Sequence, residues 1–102
     1  MKSFIPSIHN IRNERCLWTS EDIYCGRGSI WGNPFSHLAN SKAIYIVPTR
    51  KIAIEKHMEW FLEQHDLLSC IHELAGKRLW CYCRPLICHC DNYIKLIKDI
   101  YE

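Results

Sequence analysis

Net charge is scarce in this sequence. Its 102 residues carry 13 Lys and Arg against 11 Asp and Glu, a formal charge of +2. A balance so near zero argues against a surface built to attract nucleic acid or an anionic membrane. No basic run interleaved with aromatics is present, so nucleic acid stays the weaker alternative as a partner. Long apolar runs are missing too: no segment approaches the ~20 apolar residues of a membrane-spanning helix. The opening MKSFIPSIHN has no long apolar stretch before Pro6, unlike a secretory leader. The expectation is a cytoplasmic protein with no membrane partner, in a compartment where thiols stay reduced. Repeats and low-complexity tracts are also lacking. A chain of 102 residues holds one domain, read here as 1–102. Nothing in it fixes an oligomeric state.

What is present is apolar and aromatic. Hydrophobic residues make up 48% of the chain, with four Trp, five Tyr and three Phe. That supply suits a small packed core rather than disorder. There are seven cysteines, an odd number, which in a reducing compartment weighs against a disulfide scaffold.

The local patterns alternate between strand and helix. Ser7 to Ile11 and Asp22 to Cys25 read as short strands, with a polar loop, Arg12 to Ser20, between them. GRGSIWGNPF, Gly26 to Phe35, holds three of the four glycines and reads as a loop. Ile44 to Val47 is an apolar run stopped by Pro48, as in an edge strand. Thr49 is placed to cap a helix running to about Gln64, with Ala53, Ile54, His57, Trp60 and Phe61 on one face. Asp66 is placed to cap a second, short helix that ends before Gly76. Lys77 to Cys83 reads as a central strand, apolar on both faces and ended by Pro85. A last helix starts near Cys88 and reaches Tyr101, with Tyr93, Ile94, Ile97, Ile100 and Tyr101 on its buried side. This order predicts an α/β domain: a short, mostly parallel sheet flanked by about three helices. In such sheets, sites gather outside the C-terminal strand ends.

RLWCYCRPLICHCD, Arg78 to Asp91, occupies that position and holds four of the seven cysteines. Three uses of these thiols compete. Cys81 and Cys83 lie two apart on a strand and face the same way. With Cys88 and His89 folding back, they offer three thiolates and an imidazole, a donor set for zinc. The Cys-x-Cys spacing and the adjacent Cys-His pair depart from paired zinc knuckles, so zinc is the alternative cofactor rather than the leading one. Packing is the second use, for Cys81 and Cys70 as core and for Cys16 and Cys25. The third is an anion site. N–H groups of Cys88, His89 and Cys90 at a helix start attract negative charge and lower the pKa of Cys88. Asp91 in the first turn supports the helix itself. Arg27, flanked by Gly26 and Gly28, is suited to a phosphate or carboxylate fork. Asn33 is suited to reading a base or sugar, and Trp31 to stacking on one. Trp31 and Phe35 serve equally well as core plugs.

Two blocks together resemble a known family. IYCGRGSIWGNPF is similar to its glycine-rich block, and LAGKRLWCYCRPLICHCD is similar to its C-terminal block. The family is domain-of-unknown-function family 4326, frequent in phages and bacteria. The resemblance implies an α/β fold and supplies no activity. It carries over Gly26, Arg27, Trp31, Gly32, Asn33, Pro34 and Phe35 from the first block. From the second it carries Cys81, Cys83, Pro85, Cys88, His89 and Asp91. Cys90 stands where the family has a small residue, and His57 where it has an aromatic. Both read as incidental to function.

The leading expectation is a module that binds a phosphorylated or nucleotide-like small molecule. Its pocket is formed by Gly26, Arg27, Trp31, Gly32, Asn33, Cys83 and Asp91, with Cys88 and His89 as the catalytic candidates should it be an enzyme. The alternative is a zinc-stabilised interaction module using Cys81, Cys83, Cys88 and His89.

Overall fold

The computed structural model describes residues 4–14, 17–38, 44–84 and 86–101. Cys16 and Pro85 lie outside them. Among the described residues, five strands and three helices run in the order β1 (Ser7–Asn10), β2 (Asp22–Tyr24), β3 (Phe35–Ser36), β4 (Tyr45–Ile46), α1 (Arg50–Glu63), α2 (His65–Ser69), β5 (Arg78–Cys81) and α3 (Cys90–Tyr101). A 3-10 turn at Ile71–Leu74 links α2 to β5. The domain is α/β, as the alternating pattern implied.

The main sheet has the order β1-β5-β2. β5 pairs parallel with β1 on one side and with β2 on the other. It is central because its residues are apolar on both faces. Leu79, Trp80 and Cys81 are all buried, as a strand covered on two sides requires. Leu79 joins the core formed with Phe61, Leu74, Tyr93 and Ile97. Trp80 faces the other way, against the His9 and Trp18 rings. Its indole N–H donates to Asp22 Oδ1 across 2.8 Å. Arg78 grips the same carboxylate through Nε and Nη2 at 2.6 and 2.8 Å. The Arg78 bonds, then the Thr19 N–H and the Trp80 indole, hold Asp22 far below the ordinary carboxylate range.

Helix α1 begins where Thr49 predicts, with the Thr49 hydroxyl accepting from the Ile52 N–H. Ala53, His57 and Phe61 form its buried face. Gly76 has φ of 71°, a left-handed value that glycine adopts without a Cβ clash. β3 and β4 form a separate parallel ribbon, with Phe35 stacked on Tyr45.

Several boundaries differ from the sequence expectation. Asp66 sits inside the first turn of α2 and does not cap it. β5 ends at Cys81, two residues early, because the chain turns there and is closed by Leu86 N–H on the Cys83 oxygen. α3 starts at Cys90, not Cys88. Ile100 and Tyr101 are exposed, since the core ends at Ile97. Tyr101 stacks on Phe4 instead. Among the described residues, no helix is long and apolar enough to cross a membrane.

Candidate functional site

Because the sheet is parallel, β1, β2 and β5 all end at one side of the domain, and the chain leaves each strand there into a loop. Those loops enclose a cavity of about 750 Å³. Arg12 lines it from the turn after β1, and Gly26 and Arg27 from the loop after β2. Cys81, Tyr82, Cys83, Cys88 and His89 line it from β5 and the turn that follows. The β3 end and the first turns of α1, including Arg50, close the remaining side. The Gly-rich loop and the Cys-His turn therefore share one cavity.

What joins them is a buried polar network. His89 Nε2 donates to the carbonyl oxygens of Cys25 and Trp31, at 2.8 and 2.9 Å. The Tyr93 hydroxyl donates to the same Trp31 oxygen at 2.7 Å. Since its proton is so used, the Tyr93 oxygen accepts from His57 Nε2 at 3.0 Å. His57 Nδ1 then accepts from the Asn92 amide at 2.9 Å. Each group in the chain has one consistent role. Burial lowers the pKa of His57 to about 3 and lowers that of His89 as well, so both rings are neutral. His57 fills core space, as expected, but it also orients Tyr93. The sequence places Tyr93 only on the buried side of the last helix and does not mark Asn92. Their signal is a polar pair on the buried face of α3, four residues after Cys88 and His89.

The Gly-rich loop is tight for steric reasons. A Cβ on Gly32 would meet the Gly26 oxygen at 2.5 Å, and Gly28 has φ of 88°. Asn33 is buried; its amide donates to Ala53 O at 3.2 Å and its oxygen accepts from the Phe35 N–H at 2.9 Å. Asn33 lines the cavity, but these bonds commit it to pinning the loop on α1. Trp31 is 5% exposed and packs on Phe61 and Tyr93. Its indole is a core plug and does not line the cavity; Phe35 and Tyr82 are the aromatics that do. Arg12 rests over the Tyr82 ring at 5.2 Å. Arg27 donates to Phe35 O at 2.8 Å. Arg12 and Arg50 belong to no motif, and their convergence depends on the fold.

The turn after β5 is pinned from outside. Asp91 receives Arg84 through both carboxylate oxygens, at 2.9 and 3.2 Å. It also accepts from the Cys88 N–H at 2.9 Å. The Cys88 N–H expected to meet an anion is therefore taken by Asp91, which caps the helix rather than touching a ligand. Asn10 donates to Arg84 O at 2.7 Å, tying the turn to β1.

The thiols gather closely. Cys81, Cys83 and Cys88 hold their sulfurs within 4.8 Å of one another, as do the ligand atoms of Cys88, His89 and Cys90. Cys81 and Cys88 are 3.6 Å apart, Sγ to Sγ. Hydrogen bonds from Cys83, then Cys88 and Cys90, hold the Cys81 thiol far below its ordinary range, and Cys81 in turn pushes Cys83 up. His89 stands apart from Cys81 and Cys83 as a donor set, and its Nε2 proton is committed to two carbonyls. Cys90 and Cys25 are fully buried in the core behind the cluster. Cys70 is half-buried against the core.

The family model described as Domain of unknown function (DUF4326) matches residues 8–99. The chain belongs to this family. The match runs from β1 into α3, so it spans every loop that lines the cavity. No curated protein and no solved structure matches the chain.

Proposed function

We propose that the chain binds a phosphorylated, nucleotide-like small molecule in the cavity between the Gly-rich loop and the Cys-His turn. One observation carries this reading. Arg12, Arg27 and Arg50 converge from three separate segments, and no Asp or Glu is among the described residues lining the cavity. Clustered guanidinium groups without a counter-charge favour entry of an anion, and their planar forks match phosphate oxygens. Helix α1 adds to the field. Arg50 opens it and no acidic residue lies in its first turn, so the positive end of the helix dipole is uncompensated.

The volume of about 750 Å³ falls in the range of small-molecule sites, roughly 300–1,000 Å³. Tyr82 and Phe35 supply apolar surface beside the arginines, in the role expected of Trp31. Negative charge is met by side chains rather than by the N–H groups of the last helix. His89, neutral with its proton on Nε2, offers a ligand an acceptor at Nδ1 and no charge.

The test is calorimetry with inorganic phosphate, nucleosides and their mono-, di- and triphosphates. Phosphorylated compounds should bind and the matching nucleosides should not. Equal binding of nucleoside and nucleotide, or none by any phosphorylated compound, would sink the reading.

A further inference from the structure

We propose that Cys81, Cys83 and Cys88 bind one zinc ion in the wall of the cavity, with the fourth coordination position open to the cavity interior. The sulfurs are already near the separation that a metal imposes. Tetrahedral zinc with bonds of about 2.3 Å sets its sulfurs about 3.8 Å apart. Cys81 and Cys88 stand at 3.6 Å, and Cys83 lies within 4.8 Å of both. A shift of about 1 Å in one half-buried side chain completes the triangle.

The backbone explains why this arises from a spacing that looks unpromising. Cys81 is the last residue of β5. Cys83 lies two residues on, past the bend, and the turn brings Cys88 back beside it. That turn is held without help from the sulfurs. Arg84 clamps Asp91, Asp91 accepts from the Cys88 N–H, and Asn10 holds the Arg84 carbonyl. A ligand set fixed by partners outside it is what a metal site needs, since the ordering is done before the ion arrives.

The fourth position follows from what remains. Cys81, Cys83 and Cys88 all line the cavity, and Cys90 does not. His89 donates from Nε2 to two carbonyls, and its ligand atoms do not group with those of Cys81 and Cys83. Three protein ligands with one open position is the pattern of zinc sites that receive a water or a substrate atom. Thiolate ligands select a soft or borderline cation over magnesium or calcium. Binding exchanges S–H bonds for Zn–S bonds and releases the protons to solvent. Three thiolates on a divalent ion leave one net negative charge, which the cavity arginines offset.

This proposal is independent of the anion reading, and each can fail alone. Untagged protein, reduced and stripped with a chelator, is titrated with cobalt(II) under anaerobic conditions. One equivalent should give the visible bands of tetrahedral cobalt and a near-ultraviolet thiolate charge-transfer band, both erased by one equivalent of zinc. Imidazole, a neutral ligand that does not depend on the cavity arginines, should shift the visible bands, reporting the open position. Cys81→Ser, Cys83→Ser and Cys88→Ser should each weaken cobalt binding by more than about 100-fold, the upper end for losing a mere outer partner. Cys70→Ser and Cys90→Ser should leave the bands in place. Should a variant not fold, the stoichiometry and spectrum of the wild-type chain still decide. Weak octahedral bands or no bands overturn the site, and loss of the bands in Cys90→Ser, or no response to imidazole, overturns the open position.

Discussion

His89 donates from Nε2 to the main-chain oxygen of Trp31 across 2.9 Å, and this contact binds the two sequence blocks into one site. The histidine belongs to the turn before α3; the tryptophan belongs to the Gly-rich loop. The Trp31 oxygen also accepts from Tyr93, so a single carbonyl holds two groups from the C-terminal segment. The loop is thus positioned by its backbone, while the indole beneath it is packing.

His89→Ala should therefore act on stability before it acts on binding. It strands the Cys25 carbonyl of a buried loop, at about 1–3 kcal/mol for a group left unsatisfied, and empties the space of a buried ring, while the Trp31 oxygen keeps Tyr93. Urea unfolding should show a loss of about 2–4 kcal/mol in all. A loss under about 0.5 kcal/mol would mean the Cys25 carbonyl finds another donor.

Arg27→Ala and Arg50→Ala should do the reverse. Each removes a charge-assisted contact to the anion, worth about 1.5–3 kcal/mol. Phosphate-bearing ligands should bind about 10- to 150-fold more weakly by calorimetry, with unfolding free energy moved by only about 0.5 kcal/mol. If instead the melting temperature falls while affinity holds, the arginines are struts for the loop.

The pH profile has a predictable sign. His57 has its pKa lowered to about 3 by burial, then by the nearby His89 and Arg27, against about 6.5 in the unfolded chain. Its contribution is fully present above pH ~6.5 and is lost as pH falls toward the folded value, because only the unfolded state takes up the proton. Stability should decline below pH ~6.5 at up to about 1.4 kcal/mol per unit for this one group. Urea midpoints between pH 7 and pH 4 read the slope, and His57→Phe should flatten it. An unchanged slope in the variant would assign the acid sensitivity elsewhere.

Asp22 should dominate the still more acidic limb. Its carboxylate gathers Arg78, the Thr19 N–H and the Trp80 indole, which hold its pKa down. That stability is present above the unfolded carboxylate value and is lost as pH falls below it. Asp22→Asn should lower the urea midpoint at neutral pH and show a shallower loss below pH ~4. Equal midpoints for the two proteins at pH 7 would contradict the assignment.

Gly32→Ala should be poorly tolerated, since the new Cβ would sit 2.5 Å from the Gly26 oxygen, main chain against main chain. Overpacking of this kind costs about 1–3 kcal/mol. Gly28→Ala meets no neighbour within 4 Å, so its cost should come from φ alone, about 1–2 kcal/mol. Thermal melts of the two variants would rank them; a harmless Gly32→Ala would mean the loop can spread.

The fold was largely legible because its signals are local. Thr49 caps α1 as its side chain dictates, and the apolar run at Leu79 to Cys81 marks the covered strand of the sheet. The ends of elements were less so. β5 stops at Cys81 and α3 waits until Cys90 because Arg84 and Asp91 close a turn between them, a contact that no propensity encodes. In the site, the Gly-rich loop and the Cys-His turn could be named from composition. Arg12 and Arg50 could not, since arginines outside any motif gain meaning only from the cavity they face. Trp31 was ambiguous for a related reason: an indole suits a base or a core equally until its neighbours are known. The triangle of Cys81, Cys83 and Cys88 depends on a turn radius, and spacing alone understated it.

β1 and β2 flank β5 without touching one another in the sheet, and that order has a consequence for how the molecule is made. Each early strand pairs with residues 78–81, more than fifty positions downstream. During synthesis the first two strands leave the ribosome as open edges with no neighbour to complete them. At roughly 5–20 residues per second, they wait several seconds for their common partner. The central strand then closes both sides in one event, and the cavity mouth forms with it. Neither main-sheet strand that precedes Arg78 has a partner before β5 arrives, so a truncated product has exposed strand edges of the kind that chaperones and proteases recognise.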